Sequence, residues 1–407
     1  MDSEKTALKR VISLPLLVLY GLGVSIGAGI YVLIGEAAAQ AGYYTPMAFV
    51  LAAIVMFFIA SSFAELSGRL PKSAGEAVYV KAGFGSDKLA LFTGSIVLLS
   101  AAVSAAAITI GGVGYLMELI PIPRAAMIVA VVVVMGGIAA WGVKESVVFA
   151  AIFTVLEVLG LLVIIAAGLW TNPDILTRLP EVVPSLSDTA AMAAIFSTSL
   201  IAFFAFIGFD DIVNLVEEAK NPAKTVPKAI YLTLGITTLL YFMVATVAVF
   251  SVPLDELGTS TAPVGLLFER LTGSSPLIIT LIAVVATLNG IVLQIIMGAR
   301  VLYGMAESGT IPIVFGKVNA RTGTPLLSTF LITVSILMLA LFFPIGALAA
   351  FTSQLLLVVF TLACIALILL KLRKIPAPFD CYTVGIWQPV FGTIGCLALL
   401  IGPLLMK

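Results

Sequence analysis

The sequence contains no histidine, and only 10% of its 407 residues are charged. Histidine is the commonest metal ligand and the side chain that titrates nearest to neutral pH, so any proton chemistry here must rely on carboxylates. The three cysteines, Cys364, Cys381 and Cys396, stand singly, which gives neither a metal-type spacing nor a disulfide framework. The sequence therefore predicts no metal site and no cofactor.

Charged residues are scarce because 61% of the residues are hydrophobic. A soluble domain contains about 25% charged residues, and a helix that crosses a bilayer needs about 20 predominantly apolar residues. The sequence is therefore typical of an all-α polytopic membrane protein. It predicts about eleven transmembrane helices, at residues 12–35, 46–69, 89–119, 124–142, 146–170, 189–216, 228–252, 275–306, 325–344, 347–371 and 386–406.

The basic residues predict which way the chain crosses the membrane. Loops on the cytoplasmic side carry an excess of Lys and Arg. With the N-terminus in the cytoplasm, every Lys and Arg lies on that side except Arg124, Arg178, Arg270 and Lys407. We therefore expect a cytoplasmic N-terminus.

The first apolar segment is rich in glycine, with Gly21, Gly23, Gly27 and Gly29 close together. Each glycine in a helix interior costs about 0.5–1 kcal/mol relative to alanine. Opened helical backbone at membrane depth is tolerated only where it lines a polar cavity or is buried in protein. The pattern predicts a break in span one that forms a substrate site. Packing of small residues against another helix is the alternative.

Span six contains a second interruption, where Gly208 is followed by Asp210 and Asp211 within an apolar segment. The interrupted spans are five helices apart, and a five-helix unit repeated after an odd number of spans is inverted across the membrane. Broken helices at corresponding positions of inverted halves indicate a midplane binding site. This pattern resembles that of the LeuT class of transporters. The resemblance predicts a LeuT-like 5+5 inverted repeat with broken helices one and six, in a single transporter domain spanning 1–407. Its parts are a first repeat at 12–170, a second repeat at 189–371 and an additional helix at 386–406.

These segments resemble the amino acid–polyamine–organocation (APC) superfamily of permeases, over residues from about 12 to 400. The resemblance implies a secondary active amino acid transporter of the cell membrane, working as a proton symporter by alternating access. Many members have twelve spans rather than eleven, so the oligomeric state is left open. The segments that carry the resemblance are Gly23-Val-Ser-Ile-Gly-Ala-Gly-Ile30, Pro71-Lys-Ser-Ala-Gly-Glu-Ala-Val-Tyr79 and Ala205-Phe-Ile-Gly-Phe-Asp210 with the following Glu217-Glu-Ala-Lys-Asn-Pro222.

A broken helix offers ligands for both charged groups of an α-amino acid. Unpaired N–H groups at the start of the outer half of span one attract a carboxylate, and carbonyls at the positions that match the family accept from the ammonium. Glycine lets the ligand approach the amides because it has no Cβ. The expected carboxylate ligands are the amides of Ile26, Gly27, Ala28 and Gly29, and the expected ammonium ligands are the carbonyls of Ser25, Phe204 and Ile207, beside Gly208.

Asp210 follows the break in span six, where family members often carry an acid. Three roles are open to it: lining the extracellular gate, taking up a proton, or contacting a cationic side chain of the substrate. Alternatively, Asp210 and Asp211 only cap or solvate the broken backbone. Asp211 points about 100° further round the helix, so we expect it to lie outside the cavity.

Glu157 lies midway along span five among apolar neighbours. Some proton-coupled relatives carry a lysine at the matching position, where it replaces a sodium ion that bridges spans one and eight. An acid cannot work in the same way. Because burial can raise a carboxyl pKa by up to about 3–5 units, Glu157 is a candidate carrier of the coupling proton. It can also stay ionised beside a bound cation, or hydrogen-bond to broken backbone.

Several further residues can each have one of two roles. Glu65 and Arg69 can form a cytoplasmic gate pair. Alternatively, Arg69 is an interfacial anchor. Thr287 and Asn289 in span eight either coordinate a cation or make ordinary interhelical hydrogen bonds. Phe204, Phe206 and Phe209 either cover the cavity or pack against lipid and neighbouring helices.

Two other functions remain as alternatives. The buried acids also suit a polyamine or cationic amino acid transporter or exchanger. A membrane channel is the alternative of another class, although the sequence shows no filter motif. With no nucleophile and base in a paired motif, we expect no enzymatic activity. We expect the partners to be the amino acid, H⁺ and the lipid bilayer, and no nucleic acid.

Overall fold

The fold is a bundle of α-helices. The computed structural model describes residue 10 and residues 12–71, 75–141, 147–185, 187–216, 218–307, 311–319, 322 and 324–405. Within these residues, the one pairing of extended backbone is an isolated bridge between Ile12 and Ala219. The helices are α1 (Leu14–Ala28), α2 (Ile30–Ala41), α3 (Thr45–Arg69), α4 (Gly75–Phe84), α5 (Asp87–Leu119), α6 (Arg124–Trp141), α7 (Val147–Thr171), α8 (Thr189–Phe206), α9 (Phe209–Asn214), α10 (Pro222–Ser251), α11 (Leu254–Thr259), α12 (Pro263–Thr272), α13 (Leu277–Glu307), α14 (Leu326–Phe342), α15 (Ile345–Leu372) and α16 (Trp387–Leu405).

The helices identify a polytopic membrane protein. In the described part of the chain, eight helical stretches are long and apolar enough to cross a bilayer, and three shorter apolar helices lie at Leu14–Gly27, Leu326–Phe342 and Trp387–Gly402. Each predicted span coincides with one or two of these helices. The number of spans remains a prediction, because length and composition alone do not separate the shorter helices from buried ones.

The outer faces of the helices are apolar, as lipid contact requires. On α7, Leu156, Leu159 and Val163 are 46%, 50% and 48% exposed. These residues recur at helical spacing and form one face. Glu157 lies on the opposite face and is buried. Glu157, the one acid in Val147–Thr171, therefore points into the bundle.

Two helix starts are fixed by capping side chains. Ser86 Oγ accepts a hydrogen bond from Leu89 N at the start of α5, and Asp188 Oδ1 accepts from Ala191 N at the start of α8. Such caps satisfy amides that have no partner within the helix. The predicted starts at 89 and 189 lie three residues and one residue after these caps.

Spans one and six are both broken and lie against each other. The first is divided at Gly29, between α1 and α2, and the second at Ile207-Gly208, between α8 and α9. The half-helix α2 packs on α8, and α1 packs on both α8 and α9. In addition, α3 packs on α10 and α5 on α13. These are helices at corresponding positions of the two predicted halves, and the repeat itself remains a prediction.

The break in span one is shorter than the sequence predicts. Gly21, Gly23 and Gly27 lie within α1, and only Gly29 is outside both helices. A Cβ on Gly21 would lie 2.5 Å from Ile212 Cδ1, and one on Gly23 would lie 2.2 Å from Thr154 Oγ1. Helix packing, the alternative considered for these glycines, therefore accounts for Gly21 and Gly23.

Candidate functional site

The two breaks meet through their backbones. A Cβ built on Gly29 would lie 2.6 Å from Ala205 Cα and 2.8 Å from the Ser25 carbonyl oxygen. No side chain fits there without moving the backbone of α1 or α8. Gly29 therefore brings the first break into direct contact with the last turn of α8.

Gly208 makes the reciprocal contact from the second break. Its φ of +131° is one that side-chain-bearing residues rarely adopt. A Cβ there would lie 2.8 Å from Val24 Cγ1 and 3.0 Å from Ser25 N. The turn at Gly208 thus reverses the chain between α8 and α9 while it touches α1.

Tyr241 of α10 joins the two breaks. Its hydroxyl lies 2.7 Å from the Ser25 carbonyl oxygen and 2.9 Å from the Ala205 carbonyl oxygen. The side chain is completely buried. The hydroxyl has one proton, so it donates to one carbonyl at a time. Sequence reasoning missed Tyr241, because a single tyrosine within an unbroken apolar span carries no local signal of such a role.

Three of the four expected carboxylate ligands lie at the end of α1. Ile26, Gly27 and Ala28 lie in the last turn of α1, where a helix leaves carbonyls rather than amides without an internal partner. The first hydrogen bond of α2 runs from Leu33 N to Gly29 O. The amides left without a partner inside α2 are therefore those of its first turn, which begins at Ile30.

The expected ammonium ligands already have hydrogen-bond donors. Ser25 O accepts from Tyr241, and Phe204 O accepts from Ile207 N at 3.1 Å. A carbonyl oxygen has two lone pairs, so both keep capacity for a second donor. Ile207 lies in the connection between α8 and α9, with extended backbone. The Ser25 carbonyl and the first-turn amides of α2 lie on the two sides of the break in span one, and the carbonyls of Phe204 and Ile207 lie at the end of α8.

Glu157 points at the last turn of α1. A Cβ on Gly27 would lie 3.5 Å from Glu157 Oε2 and 3.4 Å from the Ala286 carbonyl oxygen of α13. Within the described part of the chain, Glu157 Oε2 is buried without a hydrogen-bond partner. Its own carbonyl oxygen accepts from the Tyr31 hydroxyl at 2.8 Å. The carboxyl group is thus buried between spans one, five and eight.

Asp210 caps the broken backbone of span six. Its Oδ1 accepts a hydrogen bond from Gly208 N at 2.9 Å, and the side chain is 8% exposed. Asp211, which is 9% exposed, is equally buried. Asp210 interacts with Glu76 of α4, in the segment that joins spans two and three. Asp210 thus lies towards the end of the bundle that carries Arg69, and its role in a gate stays a prediction.

Aromatic rings surround the breaks. The ring of Phe209 lies 5.5 Å from that of Phe63 and 5.6 Å from that of Phe360. The ring of Phe206 lies 5.2 Å from that of Tyr241. Phe206 and Phe209 are therefore packing residues in this conformation. Phe204 is also buried, at 5% exposure.

Glu65 forms a buried ion-pair network rather than a simple pair. Its Oε1 lies 2.8 Å from Arg69 Nε, and its Oε2 lies 2.7 Å from Lys371 Nζ and accepts from Val384 N. Arg69 also donates to Ile375 O. These hydrogen bonds and ion pairs connect the loop between α15 and α16 to the end of α3.

Removing the second cation should destabilise this end of the protein. We expect Lys371→Met to lower the free energy of unfolding by about 1–3 kcal/mol, because Glu65 is buried and keeps only Arg69 as its counter-ion. Thermal unfolding in detergent measures the change. Lys88→Met is the control, because Lys88 is exposed. Equal melting temperatures for the two variants would contradict the role given to Lys371.

The remaining predicted groups lie apart from the breaks or are bonded within helices. The Thr287 hydroxyl donates within its own helix, to Ala283 O or Val284 O. Asn289 is half-buried. A cavity of about 450 Å³ opens between the start of α10 and the α15–α16 loop, where Lys224, Lys228 and Tyr382 line it. None of the predicted site residues lines this cavity.

The long apolar helices are those of a polytopic membrane protein. At its centre, two interrupted helices contact each other through their backbones. Residues 12–406 match the model of the amino acid permease family. The chain belongs to this family, which confirms the resemblance to the APC superfamily.

Individual relatives cover most of the chain. It is 28% identical to the branched-chain amino acid permease BcaP of Bacillus subtilis, over 98% of this chain and 89% of the relative. It is 29% identical to the vacuolar cationic amino acid transporter 2 of Arabidopsis thaliana, over 91% of this chain but 61% of the relative. It is 27% identical to the methylthioribose transporter of Bacillus subtilis, over 91% of this chain and 83% of the relative.

Proposed function

We propose that the protein is a secondary active amino acid transporter that alternates access to a site between the two breaks. The observation that carries the proposal is the backbone contact of the breaks, Gly29 against Ala205 and Gly208 against Ser25. Broken helices that meet in this way are the usual substrate sites of such transporters. Family membership and the permease relatives support the same conclusion.

The proposed site recognises the two charged groups that all α-amino acids share. The positive end of α2 and its first-turn amides, from Ile30 onward, bind the carboxylate. The carbonyls of Ser25, Phe204 and Ile207 bind the ammonium. Gly29 and Gly208 allow the substrate to approach the backbone, because neither has a Cβ. We propose no resident cofactor.

The rings around the breaks favour a substrate with an apolar side chain. Phe49, Phe206 and Tyr241 pack together, with ring centres 5.6 Å apart for Phe49 and Tyr241. A relative named for branched-chain amino acids agrees with this choice. A cationic amino acid is the second candidate, favoured by the buried acids Glu157 and Asp210 and by relatives named for cationic substrates.

We further propose coupling to protons, a cytoplasmic N-terminus and residence in the cell membrane. Glu157 supports proton coupling, because its buried carboxyl oxygen has no hydrogen-bond partner among the described residues and lies beside the break in span one. The distribution of Lys and Arg supports the orientation. In that orientation, α4 and α9 lie at the cytoplasmic end.

Uptake by purified protein in liposomes tests the function. Labelled leucine and arginine are offered with and without a pH gradient that is acidic outside. We expect saturable leucine uptake that unlabelled substrate inhibits and the gradient increases. Protein-free liposomes are the control. Flux that does not saturate would indicate a channel, and no uptake of any amino acid in a full panel would contradict the proposal.

A further inference from the structure

The short helix α4 carries an acid that the proposed site does not use. Glu76 lies in the first turn of α4 and is only 8% exposed. This helix packs against α9, the half of span six that follows the break. Asp210 lies at the start of α9 with the same 8% exposure. Two buried carboxyl groups therefore lie on two helices that pack together, close enough for their charges to interact.

The two carboxyl groups interact. The pKa of Glu76 is raised from 4.5 to about 7. Burial is the largest cause of this rise, and the charge of the nearby Asp210 carboxylate is the second. Buried like charges at short range are not both ionised. The pair therefore titrates as a unit that keeps one proton near neutral pH.

Asp210 is the acid that is bonded to the break in span six, where its Oδ1 accepts a hydrogen bond from Gly208 N. Glu76 faces Asp210 and, on its own helix, Tyr79. The Tyr79 hydroxyl is buried without a hydrogen-bond partner among the described residues. Glu76 is thus the group that carries the proton.

Four cations on the elements around α4 lie in the described part of the chain. Arg373, after α15, donates to Gly83 O near the other end of α4, and Lys88 of α5 is exposed. Lys371 of α15 binds Glu65. Lys81 of α4 pairs with Asp87 at the start of α5, and both are exposed. In the described part of the chain, no salt bridge reaches Glu76 or Asp210.

We propose that Glu76 and Asp210 form a proton-binding carboxyl pair that joins α4 to α9, and that its proton holds the cytoplasmic half of span six against α4. The proposal rests on the proposed function, because it assigns a second proton site to the same transport cycle. Loss of the proton leaves two facing carboxylates, which separate α9 from α4 and open the cytoplasmic side.

The direction of the pH dependence follows from the raised pKa. Glu76 has a pKa near 4.5 when exposed and about 7 when α4 and α9 are packed together. The proton therefore stabilises the contact fully below pH 4.5, and this stabilisation is lost as the pH rises through about 7. The cytoplasmic side is held closed at acidic pH and released at alkaline pH.

Substrate exchange at equal pH on both sides of the liposome membrane tests the proposal. Wild-type exchange should rise with pH, with a midpoint near 7. Glu76→Gln keeps the size of the side chain but cannot lose a proton, so its exchange rate should stay at the low-pH value throughout. Asp380→Asn, at an exposed acid in the α15–α16 loop, should keep the wild-type profile. A wild-type profile in Glu76→Gln would overturn the proposal.

A measurement that does not depend on transport separates this proposal from the proposed function. Infrared difference spectra between acidic and alkaline pH, recorded on purified Glu157→Gln protein so that the other proposed proton carrier does not contribute, should show a carboxylic acid C=O band that titrates near pH 7. The band should disappear in Glu76→Gln and shift in Asp210→Asn. Its persistence in Glu76→Gln would overturn the carboxyl pair even if transport is intact. A protein that transports no amino acid but shows the band would contradict only the proposed function.

Discussion

Replacement of Gly208 by alanine should lower amino acid transport by at least about tenfold, which corresponds to about 1.4 kcal/mol. Gly208 has a φ of +131°, which an alanine rarely adopts. The added Cβ would also lie 3.0 Å from Ser25 N and 2.8 Å from Val24 Cγ1. The strain falls on the turn that brings span six against span one, so the two breaks separate. Initial rates of leucine uptake in liposomes measure the loss.

A matched glycine in an unbroken helix gives the control for this variant. A Cβ on Gly235 of α10 would meet no atom within 4 Å. Gly235→Ala should keep wild-type uptake, and the substitution favours the helix by about 0.5–1 kcal/mol. Melting temperatures of both variants show whether the protein is still folded. Wild-type uptake by Gly208→Ala would contradict the proposed site. If Gly208→Ala does not fold, Gly29→Ala tests the contact with Ala205 from the other break.

Replacement of Glu157 by glutamine should abolish accumulation driven by a pH gradient but leave substrate exchange intact. Glutamine has nearly the same shape, and it can neither bind nor release a proton. In the structure, Glu157 Oε2 lies buried beside Gly27 and Ala286 O. A neutral amide there keeps the packing between spans one, five and eight. We therefore expect steady-state uptake to fall to the equilibrium level, with an exchange rate within about twofold of wild type, or about 0.4 kcal/mol.

The two readouts separate the possible roles of Glu157. Asp255→Asn, at an exposed acid on α11, should retain accumulation. Undiminished accumulation by Glu157→Gln would exclude Glu157 as the proton carrier. Loss of both accumulation and exchange, with a lower melting temperature, would instead make Glu157 a structural residue.

The sequence predicts the positions of the helices well because each span is a long local pattern. The starts of α5 and α8 also have capping residues, Ser86 and Asp188, within the pattern. The break at Gly208 was likewise visible, since a glycine followed by two acids is unusual in an apolar segment. Local composition is sufficient for such features.

The sequence does not predict which glycines break a helix and which allow close packing. Gly23 and Gly29 both stand between apolar residues, but Gly23 packs on Thr154 and Gly29 lies just after the end of α1. The difference depends on what faces each residue from another helix. Tyr241, Lys371 and Glu76 were missed for the same reason, since their partners are distant in the chain.

Tyr241 has a consequence for how tightly a substrate can be held. In the proposed mode, an ammonium group can replace the Tyr241 hydroxyl at Ser25 O, because that hydroxyl has Ala205 O as a second acceptor. A hydrogen bond from a charged donor contributes about 1.5–3 kcal/mol and one between neutral groups about 0.5–1.5 kcal/mol. If the ammonium displaces the hydroxyl, only the difference adds to the affinity. Tyr241 then occupies Ser25 O whenever no substrate is bound. It thereby limits the affinity for the substrate, which favours release on the other side of the membrane.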